Sequence, residues 1–132
     1  MRFHLMPKRD ELDMLFREIV AGRAEVLFGG ISGSPKPMID FALRERLPAV
    51  RPMRYFVEAG GLMSYGVSQA EAQRAPVHAA RYVDRILRGT PPAELAVEQP
   101  SRFELALNLK TARAIGLALP QSVVLRADAV IG

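Results

Sequence analysis

The chain has 132 residues, 49% of them hydrophobic, so it can bury one ordinary core but is too short for two full domains. It contains no cysteine, which excludes disulfides, thiolate metal sites and cysteine nucleophiles. The net charge is +4, but the basic residues are spread along the chain, a distribution that does not favour nucleic-acid binding. No apolar run approaches the ~20 residues that cross a bilayer, and residues 1–8 lack the apolar centre of a secretion signal, so we expect a soluble, cytoplasmic chain.

The first predicted helix begins at the capping residue Asp10 and ends at Gly22. A continuous apolar run at residues 25–30 follows, which is typical of a strand buried on both faces in a parallel sheet. In the next helix, Ser34 is the predicted N-cap and Pro35 the first helical residue. The residues predicted on the buried faces of these two helices are Leu12, Leu15, Phe16, Ile19, Met38, Ile39, Ala42 and Leu43.

A second strand is predicted at residues 47–50, and a short helix, a glycine turn and a third strand meet at residues 54–66. The paired glycines Gly60-Gly61 can adopt the positive φ that ends a helix. The alternation of helices and strands predicts a wound α/β sheet. The reversal is expected to place Arg54 and Tyr65 near one edge of that sheet, where α/β proteins commonly bind ligands.

A long helix is predicted at residues 69–88, with Gly89 as its stop. Pro76 inside this helix predicts either a kink or a fresh helix start near Ala75, because proline removes a backbone hydrogen bond. The apolar stripe of the helix consists of Val77, Ala80, Tyr82, Val83, Ile86 and Leu87.

The remaining residues predict extended runs at 95–97 and 103–107, a short helix through 110–115 and a last helix at 121–130.

The glycine- and serine-rich loop at residues 29–34 matches no phosphate or nucleophile motif. Ile31 or Ser32 stands where G-x-G-x-x-G needs glycine, and Ser34 stands where the G-K-[ST] motif needs lysine and where G-x-S-x-G needs glycine. Two interpretations stay open: an anion-binding element ahead of a helix, or a flexible connector.

No residue pattern nominates a catalytic group, a metal site or a cofactor. His4 and His78 lack a metal-ligand spacing, and the carboxylates form no evident acid/base pair. Arg54 can be either a ligand-pairing guanidinium or a member of a surface salt bridge. Tyr55 and Tyr65 can contact a ligand or belong to the core.

Several ordered blocks resemble one family. They include residues 54–66, with the core Phe-Val-Glu-Ala-Gly-Gly-Leu-Met-Ser-Tyr-Gly, and the other blocks are at 47–49, 82–89, 97–100, 103–105 and 108–112. From about residue 47 to 131 the chain resembles the substrate-binding proteins of bacterial ABC transporters, specifically the predicted binding lipoproteins related to tryptophan- and tyrosine-uptake proteins.

The resemblance implies a partial periplasmic-binding-protein fold of type I. The expected architecture is a parallel-sheet second lobe with helices on both faces, plus a long crossing helix. Residues 1–64 would be the second-lobe segment, residues 65–94 the helix that packs on an absent first lobe, and residues 95–132 the return strand and C-terminal helices. Full-length members are periplasmic or lipoprotein-anchored and work with a membrane permease.

The resemblance also implies which residues bind the ligand. The loop after the first strand gives Ser32 and Ser34, the segment after the second strand gives Arg54, and the crossing gives Tyr65 and Ser68.

Two functions are compatible with these expectations. The first is a non-enzymatic, cofactor-free, C-terminal part of an ABC importer's receptor for a small amino-acid-like, carboxylate-bearing or aromatic solute. The alternative is a stand-alone interaction domain that forms homodimers and binds no ligand, because the apolar crossing helix and strand edges lack a first lobe to cover them.

Overall fold

The computed structural model describes residues 12–29 and 33–132, which form two compact units. Unit 1 consists of the residues up to Gly66 together with Glu104–Gly132, and unit 2 is Val67–Phe103. The three-segment division predicted from the sequence, with boundaries at residues 64 and 94, stays a prediction.

The helices are α1 (Leu12–Ala21), α2 (Lys36–Arg44), α3 (Tyr55–Glu58), α4 (Gln69–Leu87), α5 (Leu109–Ala114) and α6 (Gln121–Val124). The strands are β1 (Leu27–Phe28), β2 (Ala49–Arg51), β3 (Met63–Val67), β4 (Phe103–Asn108) and β5 (Ala129–Ile131).

The five strands form one sheet in the order β1-β2-β3-β4-β5. The pairs β1–β2, β2–β3 and β4–β5 are parallel. Parallel neighbours need a crossover connection, and α2 and α3 supply it between the first three strands. The predicted α/β class with a mostly parallel sheet is confirmed.

Strand β1 is shorter and more exposed than predicted. Leu27 is buried, but Phe28 on the opposite face is 76% exposed, so the expectation of a strand buried on both faces is wrong. Within residues 12–29 and 33–132, β1 is the first strand in the sheet order and has a neighbour on one side only, so a side chain on its outer face has fewer described residues to pack against. Helix α1 ends just before Gly22, as predicted, whereas its predicted cap Asp10 lies outside the described residues.

Helix α2 begins one residue later than predicted. Pro35 occupies the N-cap position, and its carbonyl accepts a hydrogen bond from the amide of Ile39 at 3.1 Å. The Ser34 hydroxyl accepts from the Lys36 amide at 3.3 Å, so Ser34 satisfies a backbone donor at the helix start without being the cap itself.

The core of unit 1 lies where α1, α2 and α3 meet the sheet. Its buried residues are Leu12, Leu27, Met38, Ile39, Phe41, Ala42, Ala49, Phe56, Val57 and Ala106. Phe41, which the sequence prediction omitted, completes an i, i+3, i+4 pattern with Met38 and Ala42. Its ring stacks on Phe16 with centroids 4.1 Å apart.

Helix α4 in unit 2 runs without interruption through Pro76, so the predicted alternative of a fresh start near Ala75 is wrong. Both Pro76 and Ala72 are exposed, and water can therefore satisfy the Ala72 carbonyl that proline leaves without a helical donor. The helix contains no buried residue. Across residues 12–29 and 33–132, none of the helices combines the length and apolarity needed to cross a membrane.

The C-terminal segment differs from the prediction of one helix at residues 121–130. Helix α6 ends at Val124, and the chain then forms β5 parallel to β4. Asp128 fixes this pairing, because its carboxylate accepts from the Leu105 amide at 2.8 Å and its own amide donates to the Leu105 carbonyl at 2.8 Å. Residues 95–97, predicted to be extended, form no strand, although Leu95 has an extended backbone.

Candidate functional site

The carboxyl ends of β1, β2 and β3 meet at one edge of the sheet. The register pairs Phe28 with Val50, Val50 with Met63, and Arg51 with Ser64. Parallel α/β sheets commonly bind their ligands in the crevice at this edge. We call the described residues at and directly after the ends of β1 and β2 (28, 29, 33, 34 and 51–55), together with the adjacent β3 residues 64–66, the carboxyl edge.

Arg54 at this edge is already paired with two carboxylates. Its Nε lies 3.0 Å from Glu58 Oε1, and its Nη1 lies 2.5 Å from Glu104 Oε1. The hydrogen bond to Glu104, and then that to Glu58, raise the pKa of the Arg54 guanidinium above its usual value. Of the two interpretations left open by the sequence, the surface salt bridge is present, and ligand binding by Arg54 stays a prediction.

Arg51 is the basic residue at this edge that the sequence analysis missed. It ends β2 and is only 9% exposed. Its guanidinium carbon lies 5.7 Å from the ring centroids of both Tyr55 and Phe56, within the usual range of a cation–π contact. The available signal was a charged residue directly after the apolar pair Ala49 and Val50, at the end of the strand predicted at residues 47–50.

Several aromatic and apolar residues at the carboxyl edge have exposed side chains. Tyr65 lies on β3 and is 58% exposed, whereas its neighbour Ser64 is buried on the other face of the strand. Tyr55, Met53 and Phe28 are exposed as well. The carboxyl edge therefore offers apolar surface next to buried positive charge.

The other predicted ligand residues have varied positions. Ser34 is exposed at the start of α2, and Ser32 lies outside the described residues. Ser68 belongs to unit 2, where it caps α4 by accepting from the Glu71 amide at 3.3 Å and is buried. The assignment of all five residues to a binding site stays a prediction.

The turn after α3 is held by close backbone packing. Gly60 has φ of +106°, which ends the helix as predicted, whereas a Cβ on Gly61 would overlap the Phe56 ring. In β3, a Cβ on Gly66 would overlap the carbonyl oxygen of Pro52. These two approaches fix the segment between Arg51 and Tyr65, and with it the backbone of the carboxyl edge.

Two polar residues brace the same turn from α5. Asn108 caps α5 through the Thr111 amide at 3.0 Å and donates its side-chain N–H to the Val57 carbonyl at 3.3 Å. The Thr111 hydroxyl donates to the Gly60 carbonyl at 2.8 Å. The block at residues 108–112 thus supports the site without belonging to it.

The polar clusters outside the carboxyl edge do not form an evident binding or metal site among the described residues. His78 contacts the Glu98 carboxylate within unit 2. No three metal-binding side chains cluster within residues 12–29 and 33–132. A groove of about 700 Å³ between α1 and α2 is lined by apolar residues and by charges of both signs, Asp13, Arg17, Asp40, Arg44 and Glu45 among them.

Comparison with known proteins decides the family. The sequence profile of the ABC transporter substrate binding protein family matches residues 28–131, most of the chain. The chain belongs to this family. None of the curated proteins matches it significantly.

Three solved structures resemble this chain in fold. A conserved domain protein from Vibrio cholerae O1 biovar El Tor has a TM-score of 0.76 at 24% identity, over 93% of this chain and 42% of that one. The ABC domain from Streptococcus pneumoniae, in complex with L-Trp, has a TM-score of 0.71 at 23% identity, over 95% and 43%. A substrate-binding protein with adhesive properties from Clostridium difficile, ligand-free and open, has a TM-score of 0.59 at 16% identity, over 94% and 41%. The chain studied spans less than half the length of these proteins.

Proposed function

We propose that the chain forms one wall of the solute-binding cleft in the receptor of an ABC importer, and that it binds the solute without converting it. The observation that carries this proposal is the carboxyl edge, where a buried arginine ends β2 and exposed rings lie on or beside three parallel strands. Family membership supports the same role, since the family is one of substrate-binding proteins.

The solute class that fits this edge is a small amino-acid-like molecule with an anionic group and an aromatic or apolar body. Guanidinium groups bind carboxylates through two parallel hydrogen bonds, and exposed rings such as Tyr55 and Tyr65 can stack on an apolar body. A similarly folded protein was solved with L-Trp, a molecule that has both features.

A single wall limits the affinity. A cleft encloses most of a small ligand only when both walls are present, and a half-enclosed ligand gains little to offset the entropy lost on association. We therefore expect this chain alone to bind amino acids no tighter than about millimolar, where the standard free energy of binding is about −4 kcal/mol.

Amide chemical-shift mapping tests the proposed function. The purified chain is titrated with L-tryptophan, L-leucine and acetate, and we expect saturable shifts at Arg51, Tyr55 and Ser64, largest with the aromatic amino acid. Absence of any amide shift at the carboxyl edge up to about 20 mM, roughly twentyfold above a millimolar dissociation constant, contradicts the proposal.

In a complete receptor, we infer that a first lobe covers the apolar stripe of α4 and that both lobes present the solute to a membrane permease. The receptor would act in the periplasm or on a lipid anchor. The exposed stripe supports this inference, because a 19-residue helix with no buried residue leaves a surface that ordinarily packs on a partner.

The same stripe favours a second candidate function, a homodimerising interaction domain. Two copies could pair through Val83 and Leu87, which are exposed and on the same face of α4. Light scattering over a concentration series tests this: a dimer in the wild type that Val83→Glu dissociates, and that the control Arg81→Glu keeps, supports it. A monomer at several hundred micromolar contradicts it.

A further inference from the structure

We propose that α4 binds an anionic lipid surface through a row of arginines. The row consists of Arg74, Arg81, Arg85 and Arg88, and we call it the arginine row. It belongs to unit 2 and contains no residue of the carboxyl edge, so this inference goes beyond solute binding. The partner we assign to it is the headgroup layer of a bilayer that contains acidic phospholipids.

The four arginines lie on one face of α4 because of their spacing. Consecutive members are seven, four and three residues apart, and each step is close to a whole number of helical turns. At about 100° per residue, all four fall within an arc of about 60°. The row is about 21 Å long, since 14 residues separate its ends and each residue rises about 1.5 Å.

Most of the positive charge in this row is not neutralised by the protein. Within residues 12–29 and 33–132, Arg74, Arg81 and Arg85 are exposed and have no ion pair or side-chain hydrogen bond. The Nε of Arg88 lies 3.0 Å from Asp84 Oδ1, in a pair whose side chains are 78% and 57% exposed. Exposed pairs of this kind are weak, so Arg88 can exchange Asp84 for another anion.

The arginine row is on the other side of α4 from the centre of the apolar stripe. Val83 and Leu87 are each two residues from Arg85, which at about 100° per residue places them about 160° from it around the helix. A first lobe that covers Val83 and Leu87 therefore leaves the row in solvent. The row can bind the same surface in this chain and in a complete receptor.

The chemistry of this face favours a lipid surface over a protein or a nucleic acid. Between Arg74 and Arg88 the arc of the row holds no other residue, whereas protein interfaces have an apolar core with charges at the rim. Single-stranded nucleic acids are bound by stacking on aromatic side chains, but Tyr82 is half-buried and donates to the Ala96 carbonyl at 2.6 Å. A straight row of unpaired cations fits a flat layer of phosphates.

The consequence is binding that depends on lipid charge and on salt. Each basic residue near an anionic bilayer contributes about fivefold to the affinity. Salt weakens this attraction, because the screening length falls from about 10 Å in 0.1 M salt to about 4 Å in 0.5 M salt.

Cosedimentation with vesicles tests the inference. We expect the chain to bind vesicles of equal parts phosphatidylcholine and phosphatidylglycerol in 0.1 M salt, and to bind pure phosphatidylcholine vesicles at least about tenfold more weakly. Raising the salt to 0.5 M should weaken binding to the mixed vesicles by a similar factor. The triple variant Arg74→Gln/Arg81→Gln/Arg85→Gln should lose at least about tenfold in affinity for them.

The matched control is the triple variant Arg17→Gln/Arg46→Gln/Arg126→Gln. It removes the same charge from three exposed positions of unit 1, and it should bind the mixed vesicles within about threefold of the wild type. A second control, Val83→Ser/Leu87→Ser, changes the apolar stripe and should keep vesicle binding within about twofold.

Several outcomes overturn the inference. Equal binding to neutral and mixed vesicles, or equal losses in the two arginine variants, would show that the row is not the binding surface. Loss of binding in the serine variant would show that α4 enters the bilayer by its apolar stripe instead.

A change of partner would overturn it as well. Preferential binding of duplex DNA or single-stranded RNA in the same buffer would assign the row to a nucleic acid, and a dimer that the α4 arginine variant dissociates would assign it to a second copy. Should that variant not fold by circular dichroism, Arg81→Gln alone, with an expected loss of about fivefold, and the lipid and salt dependence of the wild type still decide the question.

Discussion

Two stretches of this chain have equally clear apolar patterns but opposite degrees of burial. In the segment from α3 to β3, Phe56 and Val57 are completely buried, and α5 braces the turn with two side-chain hydrogen bonds to backbone carbonyls. In α4, by contrast, Val77, Val83, Ile86 and Leu87 are exposed, Leu87 to 81%. The polar contacts of α4 lie elsewhere on the helix, where the Tyr82 hydroxyl donates to the Ala96 carbonyl at 2.6 Å.

The difference shows that an apolar stripe predicts a face to be covered but does not reveal what covers it. The α3 segment is covered by other parts of unit 1. No residue of α4 is buried, so unit 2 does not cover the apolar stripe of this helix. This agrees with a chain that spans less than half the length of its structural relatives. Stability should therefore depend strongly on the first segment and weakly on the second.

The largest expected effect is that of Phe56→Ala. Removing a fully buried ring costs about 3–5 kcal/mol of unfolding free energy through lost burial and the cavity left behind. The counterpart Val83→Ala in α4 should cost less than about 0.5 kcal/mol, as exposed substitutions usually do. Urea unfolding measures both, and equal losses would contradict the comparison.

A smaller loss is expected for Gly61→Ala, whose new methyl group would overlap the Phe56 ring. Overpacking of this kind costs about 1–3 kcal/mol. In a Phe56→Leu background the smaller side chain can yield, so the same glycine substitution should cost less there. A double-mutant cycle measures the difference, and strict additivity would show that the ring is not the obstacle.

Asn108→Ala should cost about 1–2 kcal/mol, because it removes the cap of α5 and one of the two donors to the Val57 carbonyl, which keeps only the Gly60 amide at 3.0 Å. Asn108→Ser keeps an acceptor for the cap and loses the side-chain amide that donates to the Val57 carbonyl, so its loss of unfolding free energy in urea should be smaller. A serine variant as unstable as the alanine variant would assign the whole effect to the Val57 contact.

The smallest effect on stability is expected for Arg54→Ala. Its ion pairs with Glu58 and Glu104 are partly exposed, and such pairs contribute about 0–1 kcal/mol. The difference from wild type should shrink further in 1 M salt. A loss above about 2 kcal/mol that salt leaves unchanged would show that Arg54 is part of the core.

Much of the fold could be predicted because its signals are local. Helical spacing gave the buried faces of α1 and α2, and Gly60 gave the end of α3. The exposure of Phe28 could not be predicted, since it depends on the place of β1 as the first of the described strands in the sheet order. The run at residues 121–130 favours helix locally, but pairing with β4 made its end a strand.

The candidate site was harder to predict than the fold. The carboxyl edge follows from the parallel strands, but which arginine is buried there depends on contacts between α3, β2 and β4. Arg54 lies in the motif that carries the family resemblance and was therefore predicted to bind the ligand. In the structure its Nη1 donates a hydrogen bond to Glu104, 50 residues away in the sequence. Arg51 stood outside that motif.

The most direct test of solute binding at the carboxyl edge is photo-crosslinking with a diazirine analogue of phenylalanine, which carries both a carboxylate and an aromatic body. After illumination, peptide mass spectrometry locates the label, and excess L-phenylalanine serves as competitor. We expect competed label on residues 51–66. Competed label confined to the groove between α1 and α2, or to α4, would contradict binding at the carboxyl edge.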